Sequence, residues 1–577
     1  MGIPCLWSRL AGFCCAMLLS MAAWSQQVEI KVQGNHPQLQ QNADAFIGKV
    51  EDRSADGLRR YTAHAREQVG KALRALGYYN PVIEDRIIDD SPPRLLLTVD
   101  PGQPVTIRSR RVEVLGPAAS DPDFKPVKAE SLAVGKVLNH AHYENVRKII
   151  ENRALRLGYF DGHFKEHRLA VDPDAHAADI ELVYESGERY QLGEVTFDED
   201  SGFEEQLLRR FVTFREGSEY DAGKLAKLNS NLSNSGYFSQ VLVDASPTDA
   251  EGKVIPVHVR LRRRDPRSVA AGVGFSTDVG PRLRGTWTEH WINPMGHRRG
   301  AETELAAPRQ SVSAWYEIPL DPPMTDSIRM TAGYQRENIE DVESDRLTFG
   351  EQWEHALDDG WHRILSLRWE QERYQLGSKD SASSRLLLPG VGYSKLQADS
   401  PLDPSRGYRL QLDVTGAHHR LLSDADIAQV RALARGLVTV GNGHRFLGRL
   451  QVGAIATNRF ASVPPSLRFF AGGDQSVRGY GYQTLSPEDS DGVAIGGRYL
   501  VVGSLEYQFP LTKKWRLATF VDEGNAINSL TDPLATGVGV GLRWITPVGP
   551  LRFDIAKGLN DNLGGSWRLH FSMGPEL

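Results

Sequence analysis

Apolar and polar side chains alternate in short segments through the second half of the chain. Turn-forming Gly, Pro, Asp and Asn residues separate these segments, a pattern that predicts β-strands with one apolar and one polar face. Clear examples are Ser268–Ser276, Ser311–Ile318, Arg445–Ala456, Arg498–Phe509 and Gly537–Thr546. At about 20 residues for a strand and its connection, residues 266–577 hold about sixteen strands, an even number as bacterial membrane barrels require. The pattern therefore predicts a 16-stranded antiparallel transmembrane β-barrel.

A soluble β-sandwich is the competing interpretation of the same alternation. It would have to bury the apolar faces of a single sheet system over residues 266–577 in a packed core. The connections favour the barrel. If the chain enters from the periplasm, odd-to-even connections face outside and the others are short turns. Residues 510–512 and 546–549 fit such short turns, whereas the connection after the predicted eleventh strand, 457–497, is the longest and would be extracellular.

The first half contains three similar segments, spaced about eighty residues apart. They end in Gly77-Tyr78-Tyr79, Gly158-Tyr159-Phe160 and Gly236-Tyr237-Phe238. Each follows a helix-like periodicity and precedes a strand-like run, so the expected order is strand, helix, helix, strand, strand. Glycine after a helix is the usual left-handed cap, and we interpret these motifs as structural stops. The repeat predicts three α+β units, over residues 26–102, 103–188 and 189–265.

An export signal is predicted over residues 1–25. The segment contains a basic residue and then a short apolar run, and it ends at Ser25 with a small-x-small cleavage site. The apolar run is shorter than the ~20 residues that a membrane-spanning helix needs. The three cysteines, Cys5, Cys14 and Cys15, all lie in this segment. The mature chain would therefore have neither a disulfide nor a thiolate metal site.

Composition and motifs exclude several classes of function. The net charge of −6 gives no basic footprint, so nucleic acid is not an expected partner. The sequence contains no Gly-x-Ser-x-Gly elbow, no Gly-x-x-x-x-Gly-Lys phosphate loop and no His-Glu-x-x-His zinc pair. His418-His419 is a lone pair, interpreted as solvated or lumen-facing surface. We therefore predict no enzyme activity, no catalytic residue, no metal site and no cofactor.

One stretch near the C-terminal end combines glycines, aromatics and a lone arginine: Phe470-Ala-Gly-Gly-Asp474-Gln-Ser-Val477-Arg478-Gly479-Tyr480-Gly-Tyr482. Glycines let the backbone approach closely or adopt positive φ. A guanidinium partly withdrawn from water needs a fixed carboxylate partner. Because the stretch falls in the predicted long connection, we interpret it as a loop that folds into the barrel and is held there.

This motif resembles the loop-six signature of the BamA/TamA superfamily of outer-membrane assembly proteins. Three later segments match that family as well. Gly503–Tyr507 resembles its twelfth strand, Phe520–Asn525 its thirteenth, and Gly541–Arg552 its fourteenth and fifteenth. The three N-terminal units resemble its polypeptide-transport-associated (POTRA) domains. The resemblance therefore covers nearly the whole mature chain.

The resemblance implies a latch for the loop. In the family, the loop arginine reaches into the lumen and pairs with acidic and aromatic groups on these strands. The corresponding loop residues are Val477, Arg478, Gly479 and Tyr480, and the partners are Asp522, Glu506 and Phe520. Glu506 and Asp522 lie on neighbouring predicted strands, where both side chains can face the lumen. The alternative is an exposed Arg478 and an ordinary turn at residues 522–525.

The resemblance also implies a lateral gate between the first and last strands, through which client strands enter or pair. The predicted first strand is rich in small residues, which is consistent with a loosely fastened seam. On the predicted last strand an aromatic and aliphatic row alternates with polar residues, as a lipid-facing row does. The gate residues are Gly272 and Gly274 on the first strand, and Gly565, Trp567, Leu569 and Phe571 on the last.

Three functions remain open at this point. They are an insertase for barrel proteins and autotransporters, a two-partner secretion pore, and a diffusion porin. A porin does not need three periplasmic modules, and a secretion pore of the family normally has two, so the count favours the TamA-type branch. The resemblance then implies a TamB-like periplasmic partner anchored in the inner membrane, client outer-membrane proteins and the lipid bilayer. The expected location is the outer membrane of a Gram-negative bacterium, with the POTRA domains in the periplasm.

Overall fold

The structure is a computed structural model that describes residues 27–48, 50, 54–88, 92–125, 128–198, 201–547 and 549–574. The predicted export signal and the three cysteines lie outside the described residues. No helix in the described ranges is both long and apolar enough to cross a bilayer. The chain divides into two compact units. The first comprises residues 1–194, 215–224 and 245–257, and the second comprises residues 195–214, 225–244 and 258–577.

The first repeat is a three-stranded sheet with two helices. Its elements are β1 (Val28–Val32), α1 (Pro37–Ile47), α2 (Ala55–Ala75), β2 (Val82–Ile88) and β3 (Arg94–Asp100). The sheet order is β1-β3-β2, with β1 parallel and β2 antiparallel to the central strand. Ser54 caps α2 by accepting the Gly57 N–H at 3.2 Å. Apolar residues of α2, such as Leu58 and Leu73, are fully buried in one core with Leu97 of β3.

The second repeat departs from the predicted order because its described residues form a single α-helix. Its elements are β4 (Thr106–Leu115), α3 (His140–Leu157), β5 (His163–Asp172) and β6 (Ala177–Glu185), in the sheet order β4-β6-β5. Two short 3₁₀ turns, at 117–119 and 130–132, stand where the first helix was expected. Gly116, Pro117 and Pro122 precede or enter this stretch, and proline removes the donor that a continuing helix needs.

The third repeat again has two helices. Its elements are β7 (Gln191–Phe197), α4 (Glu205–Arg209), α5 (Ala222–Asn234), β8 (Phe238–Asp244) and β9 (Val254–Arg263), in the sheet order β7-β9-β8. The glycines of all three Gly-aromatic motifs have positive φ, between 80° and 93°. At Gly158, a Cβ atom would also lie 2.6 Å from Tyr220, so a side chain there would collide with the segment of the third repeat that precedes α5. This motif is therefore a joint as well as a helix stop.

The remaining strands form one sheet of sixteen strands in which each strand pairs antiparallel with the next. They are β10 (Arg267–Ser276), β11 (Gly280–Glu289), β12 (Arg298–Ala306), β13 (Arg309–Pro319), β14 (Asp326–Ile339), β15 (Val342–Ala356), β16 (His362–Leu376), β17 (Ala382–Ala398), β18 (Arg406–Ala417), β19 (Ile427–Val440), β20 (His444–Thr457), β21 (Tyr499–Pro510), β22 (Trp515–Ile527), β23 (Ala535–Thr546), β24 (Gly549–Gly558) and β25 (Trp567–Met573). The predicted fold, three POTRA-like units followed by a 16-stranded antiparallel barrel, is confirmed.

Side chains of the barrel alternate between an apolar outer face and a polar inner face. Leu450 on β20 and Leu505 on β21 are exposed on the outer face, while Arg449 and Glu506, their sequence neighbours, point inward. This alternation lets a chain of low mean hydropathy present an apolar belt to lipid. The strand β20 is the eleventh of the barrel, so the segment 458–498 is an odd-to-even connection, as predicted.

Candidate functional site

The connection between β20 and β21, residues 458–498, folds into the barrel. Phe469, Val477, Tyr480 and Leu485 are all less than 5% exposed, which is unusual for a loop. The connection bonds to strands on opposite parts of the wall. Its Leu467 carbonyl accepts a hydrogen bond from Gln429 on β19, and further contacts reach β16 and β21–β25. The loop therefore occupies the lumen.

Arg478 lies at the centre of an ion-pair network on the inner wall. Its Nε and Nη2 donate to the two carboxylate oxygens of Asp522 at 2.7 and 2.9 Å. Its Nη1 donates to Glu506 at 2.9 Å and to Asp554 at 3.1 Å. The guanidinium carbon lies 3.3 Å from the ring centroid of Phe520, a cation–π contact. The structure thus brings together Arg478 and the three partners expected from the sequence.

Two glycines let the loop approach the wall this closely. Gly479 has φ +92°, and a Cβ atom there would lie 2.4 Å from the Gly558 nitrogen. A Cβ atom on Gly537 of β23 would lie 1.9 Å from the Arg478 carbonyl oxygen. A side chain at either position would push the loop away from the strands, because contacts under 3.0 Å are not tolerated.

A second guanidinium, which the sequence did not predict to take part, completes the network. Arg543 on β23 is fully buried and donates to Glu506 at 2.8 and 3.0 Å, and to Asp554 at 2.5 Å. The carboxylates of Glu506 and Asp554 are thus shared by Arg478 and Arg543, whereas Asp522 pairs with Arg478. Burial of charge is tolerable only with such pairing. The alternation of inward residues on β23 and β24 was the available signal, since it places Arg543 and Asp554 on the lumen face.

The other latch residues hold the loop by packing and hydrogen bonds. Val477 and Tyr480 are completely buried. The Tyr480 hydroxyl lies 3.1 Å from both the Thr536 carbonyl oxygen and Asn560 Oδ1, and it accepts the Asn560 N–H at 3.1 Å. The Gly479 N–H donates to His570 Nε2 at 3.0 Å. The loop is therefore fixed to β23, to the β24–β25 connection and to the last strand.

The seam between the first and last strands is fastened over a short length. The Thr277 N–H donates to the Phe571 carbonyl at 3.1 Å, and the Phe571 N–H returns to the Thr277 hydroxyl at 3.1 Å. The rings of Phe275 and Phe571 also contact each other at a tilt of 47°, with centroids 5.6 Å apart. Continuing this antiparallel register places Met573, the last residue of β25, opposite Phe275. The described part of β25 therefore leaves residues 267–274 of β10 without a partner strand on that side.

The predicted gate residues fall into three groups. Gly272 and Gly274 lie on the unpartnered stretch of β10, where Val269 and Val273 are each 78% exposed. Trp567, Leu569 and Phe571 lie on β25, and the first two are each 71% exposed. Gly565 does not belong to the last strand, because β25 begins at Trp567. It packs in the preceding connection, where a Cβ atom would come within 2.9 Å of the Gly558 and Asn560 carbonyls.

The part of the lumen that the loop leaves free is polar. A cavity of about 620 Å³ lies between the loop and strands β13–β20, and its lining includes Arg309, Glu337, Glu372 and Arg431. A second cavity of about 440 Å³ lies against β14–β19. Neither is an apolar, enclosed pocket of the type that binds small organic ligands. The lumen and the seam, and not a pocket, are therefore the candidate functional site.

Comparison with known protein families agrees with this architecture. The profile of the Omp85 superfamily domain matches residues 295–576. A profile described as POTRA domain TamA domain 1 matches residues 29–101. A POTRA profile described as surface antigen variable number repeat matches residues 190–264. The matched ranges together include the first and third repeats and fourteen of the sixteen barrel strands, β12–β25.

Individual proteins give the same picture at low sequence identity. The chain is 25% identical over 428 residues to the outer membrane protein assembly factor BamA of Nitratidesulfovibrio vulgaris, covering 70% of this chain and 54% of that protein. It is 22% identical over 567 residues to BamA of Neisseria meningitidis, covering 86% and 70%. The chain thus spans about half the length of the first of these relatives and somewhat more of the second.

A solved structure shares the fold. The crystal structure of BamA from Haemophilus ducreyi lacking POTRA domains 1–3 aligns with a TM-score of 0.70 at 16% identity, covering 82% of this chain and 99% of that one. Together, the sixteen-stranded barrel, the POTRA repeats and the profile matches predict an outer-membrane location with the POTRA domains in the periplasm. Residues 295–576 of the chain are therefore an Omp85 superfamily domain.

Proposed function

We propose that this protein assembles other β-barrel proteins or autotransporters in the outer membrane, with the seam between β10 and β25 as a lateral gate. Each backbone polar group of a client strand must find a partner before it can remain in lipid. An unpaired strand edge supplies those partners, as in other cases of strand addition. Such a function requires neither nucleotide nor covalent chemistry, in keeping with the BamA relatives, which are named assembly factors.

The observation that carries this proposal is the unpartnered edge of β10. Over residues 267–274 the strand pairs with β11 on one side, and no described residue of β25 lies opposite on the other. Its exposed Val269 and Val273 place this edge at the apolar face. A long, open strand edge is ordinarily a liability for a protein. In this protein the open edge of β10 is accessible from the lipid-facing side, where a client strand would pair with it.

We further propose that the protein is of the TamA type and acts with a TamB-like periplasmic partner. The TamA-type profile over residues 29–101 and the presence of three repeats support this assignment. The same proposal includes an export signal at residues 1–25 and the domain limits 26–102, 103–188, 189–265 and 266–577. The outer strands of the small sheets offer further edges for extended peptides.

A two-partner secretion pore is the alternative function. In that case an exported polypeptide passes through the lumen, so the segment 458–498 has to leave it. The network around Arg478 and the buried side chains of the loop oppose that movement. The two functions thus differ in which barrier opens. One needs the seam to separate, and the other needs the loop to move.

Locking the seam separates the two functions. In the register of Thr277 and Phe571, Ser276 lies opposite Ser572, so we expect a Ser276→Cys/Ser572→Cys pair to form a disulfide across the seam. The matched control is Gln352→Cys/Ser366→Cys, a directly paired position on β15 and β16. Client assembly in proteoliposomes should stop in the oxidised seam variant, recover with reductant and continue in the control. Assembly that continues with a locked seam contradicts the gate, and export through a locked seam supports the pore.

A further inference from the structure

Three parts of the barrel meet at the fastened end of the seam. Asp278 lies in the turn between β10 and β11, Asp474 in the lumen loop, and His570 on β25. In the register set by Thr277 and Phe571, His570 lies opposite Asp278. The carboxylates of Asp278 and Asp474 and the His570 ring have ligand atoms all within 4.8 Å of one another. We call these three residues the seam cluster.

Asp474 has one carboxylate oxygen that is fully engaged. Its Oδ1 accepts the Thr277 hydroxyl at 2.7 Å and lies 2.6 Å from His570 Nδ1. The other ring nitrogen of His570, Nε2, lies 3.0 Å from the Gly479 nitrogen and must accept that N–H. A neutral imidazole donates from one nitrogen and accepts at the other. The hydrogen bonds therefore place the His570 proton on Nδ1 and keep the ring neutral.

The other carboxylate oxygen of Asp474 is buried without a donor. Oδ2 has no hydrogen-bond partner among the described residues, although the Asp474 side chain is only 3% exposed. It lies beside Asp278, whose oxygens accept the Asp474 N–H at 2.9 and 3.1 Å. Two facing carboxylates in a buried site cannot both remain ionised without a large cost. A positive charge has to lie between them.

A metal ion fits this cluster poorly. A transition metal would take an imidazole lone pair, yet Nε2 already accepts the Gly479 N–H and Nδ1 carries the proton. A hard divalent cation needs about six oxygen ligands, whereas the cluster offers two carboxylates, and both Asp278 oxygens and Asp474 Oδ1 already accept hydrogen bonds. The other Asp/His group in the described ranges, His418, His419 and Asp426, lies largely at the surface. The hydrogen bonds favour the smallest positive charge.

We propose that one proton, shared between Asp278 and Asp474, fastens the end of the seam and makes its closure sensitive to pH. With the proton present, Asp474 joins the first hairpin to the loop and, through His570, to the last strand. Without it, two carboxylates repel each other across the joint and favour separation of β10 from β25. This inference goes beyond the assembly activity, since it concerns the barrel alone and holds with any client.

The other charged groups near the seam cluster do not supply this charge. Asp554 lies opposite His570 on β24, but Arg478 and Arg543 hold it. Arg568 reaches toward Gly481 of the loop, and Arg282 lies against Gly274 on the first hairpin. Arg552 on β24 lines the same small cavity as Asp474. None of the last three arginines forms an ion pair of 4.0 Å or less with a carboxylate of the seam cluster in the described ranges.

The direction of the pH effect depends on whether the closed or the separated seam binds the proton more tightly. Burial, and then the facing Asp474, raises the pKa of Asp278 to about 7. In a separated seam the carboxyl group is solvated, with an ordinary pKa of about 3.9. The closed seam therefore binds the proton more tightly, and closure is favoured at low pH. The equilibrium constant for closure of the seam falls about tenfold per pH unit between roughly pH 4 and pH 7, and it levels off above that range.

Distance measurements by double electron–electron resonance test this proposal. Spin labels are attached to Val273→Cys and Leu569→Cys, two exposed lipid-facing positions on β10 and β25, in full-length protein in nanodiscs. We expect the separated population to increase as pH is raised from 5 to 8. Asp278→Asn, which removes one carboxylate charge, should stay closed over the whole range. Asp491→Asn, at an exposed loop position, is the matched control and should follow the parent protein.

Three results would overturn the proposal. Separation that increases as pH falls would indicate protonation of His570, which would lose its bond to the Gly479 N–H. An unchanged pH response in Asp278→Asn would show that another group titrates. A shift caused at constant pH by 1 mM CaCl₂, ZnCl₂ or EDTA would indicate a metal ion. Heat-modifiable migration on gels verifies that each variant has a folded barrel, and Asp474→Asn provides a second variant if Asp278→Asn does not fold.

Discussion

Replacement of Arg478 by alanine should release the lumen loop from the wall. The change removes four charged side-chain hydrogen bonds. Glu506 and Asp554 keep their bonds to Arg543, whereas Asp522 loses both of its bonds to the Arg478 side chain. Removing one partner of a buried ion pair costs roughly 3–5 kcal/mol, because the remaining charge stays buried and unpaired. That loss lowers the docking equilibrium of the loop by about two to four powers of ten.

Trypsin can report this release. Arg468 lies in the same loop and is only 6% exposed, so it should resist cleavage in the parent protein. In Arg478→Ala, we expect rapid cleavage after Arg468, together with a lower midpoint for heat-modifiable migration on gels. Arg478→Lys keeps a charge but loses the two-pronged bond to Asp522, so an intermediate effect is expected. Arg420→Ala, an exposed loop position, is the control. Cleavage and midpoint equal to those of the parent protein would refute the latch.

Three further substitutions test other contacts. Tyr480→Phe should lower the free energy of unfolding by about 1–2 kcal/mol, because the hydroxyl loses its bonds to Thr536 of β23 and to Asn560 in the β24–β25 connection. The thermal midpoint measures this loss, and an unchanged midpoint would contradict it. Gly537→Ala should release the loop to trypsin, whereas Gly436→Ala, where a Cβ atom meets nothing within 4 Å, should not. Arg189→Ala removes the ion pairs and hydrogen bonds of a side chain that is only 9% exposed. It should lower the free energy of unfolding by roughly 3 kcal/mol, which faster amide hydrogen exchange around residues 158–160 would report. Exchange as slow as in Arg59→Ala, an exposed helix position, would contradict the last prediction.

The fold was largely predictable because its signals are periodic and local. Alternation along the strands, the lengths of the connections and the repeated Gly-aromatic motif gave the barrel, the parity of the long loop and three small units. The missing helix of the second repeat was not predicted. The order was extended to it by analogy with the other repeats, while Gly116, Pro117 and Pro122 disfavour a helix in that stretch.

The site was predictable only where one residue dominates it. Arg478 was singled out because a lone arginine among glycines demands a partner, and its expected neighbours came from the resemblance to the BamA/TamA superfamily. The sequence analysis did not identify Arg543 and Asp554 as members of the network, because each of them alone has the pattern of an ordinary lumen-facing charge. Asp278, Asp474 and His570 are 196 and 96 residues apart in successive pairs, and only the closing register of the barrel brings them together. Such a contact depends on the stagger of a closed sheet, which alternation does not specify.

The unpartnered edge of β10 was also beyond sequence reasoning. Small residues suggested a weak seam, but they could not show that β25 stops opposite Phe275. The two ends of the first strand therefore have different roles. Its end near Thr277 is fastened to the last strand and the loop, whereas residues 267–274 lie opposite no described residue of β25. A client strand can therefore begin to pair before the fastened end separates.

The most direct test of the gate is to locate a client strand during assembly. A single cysteine at Gly272, on the open edge of β10, is compared with one at Gln451, which lines the lumen cavity. A client stalled in assembly carries a cysteine in its terminal strand. The gate predicts disulfide-linked adducts from Gly272, at alternate positions of the client strand, and none from Gln451. Adducts from Gln451 in the absence of any from Gly272 would contradict it and assign the route to the lumen.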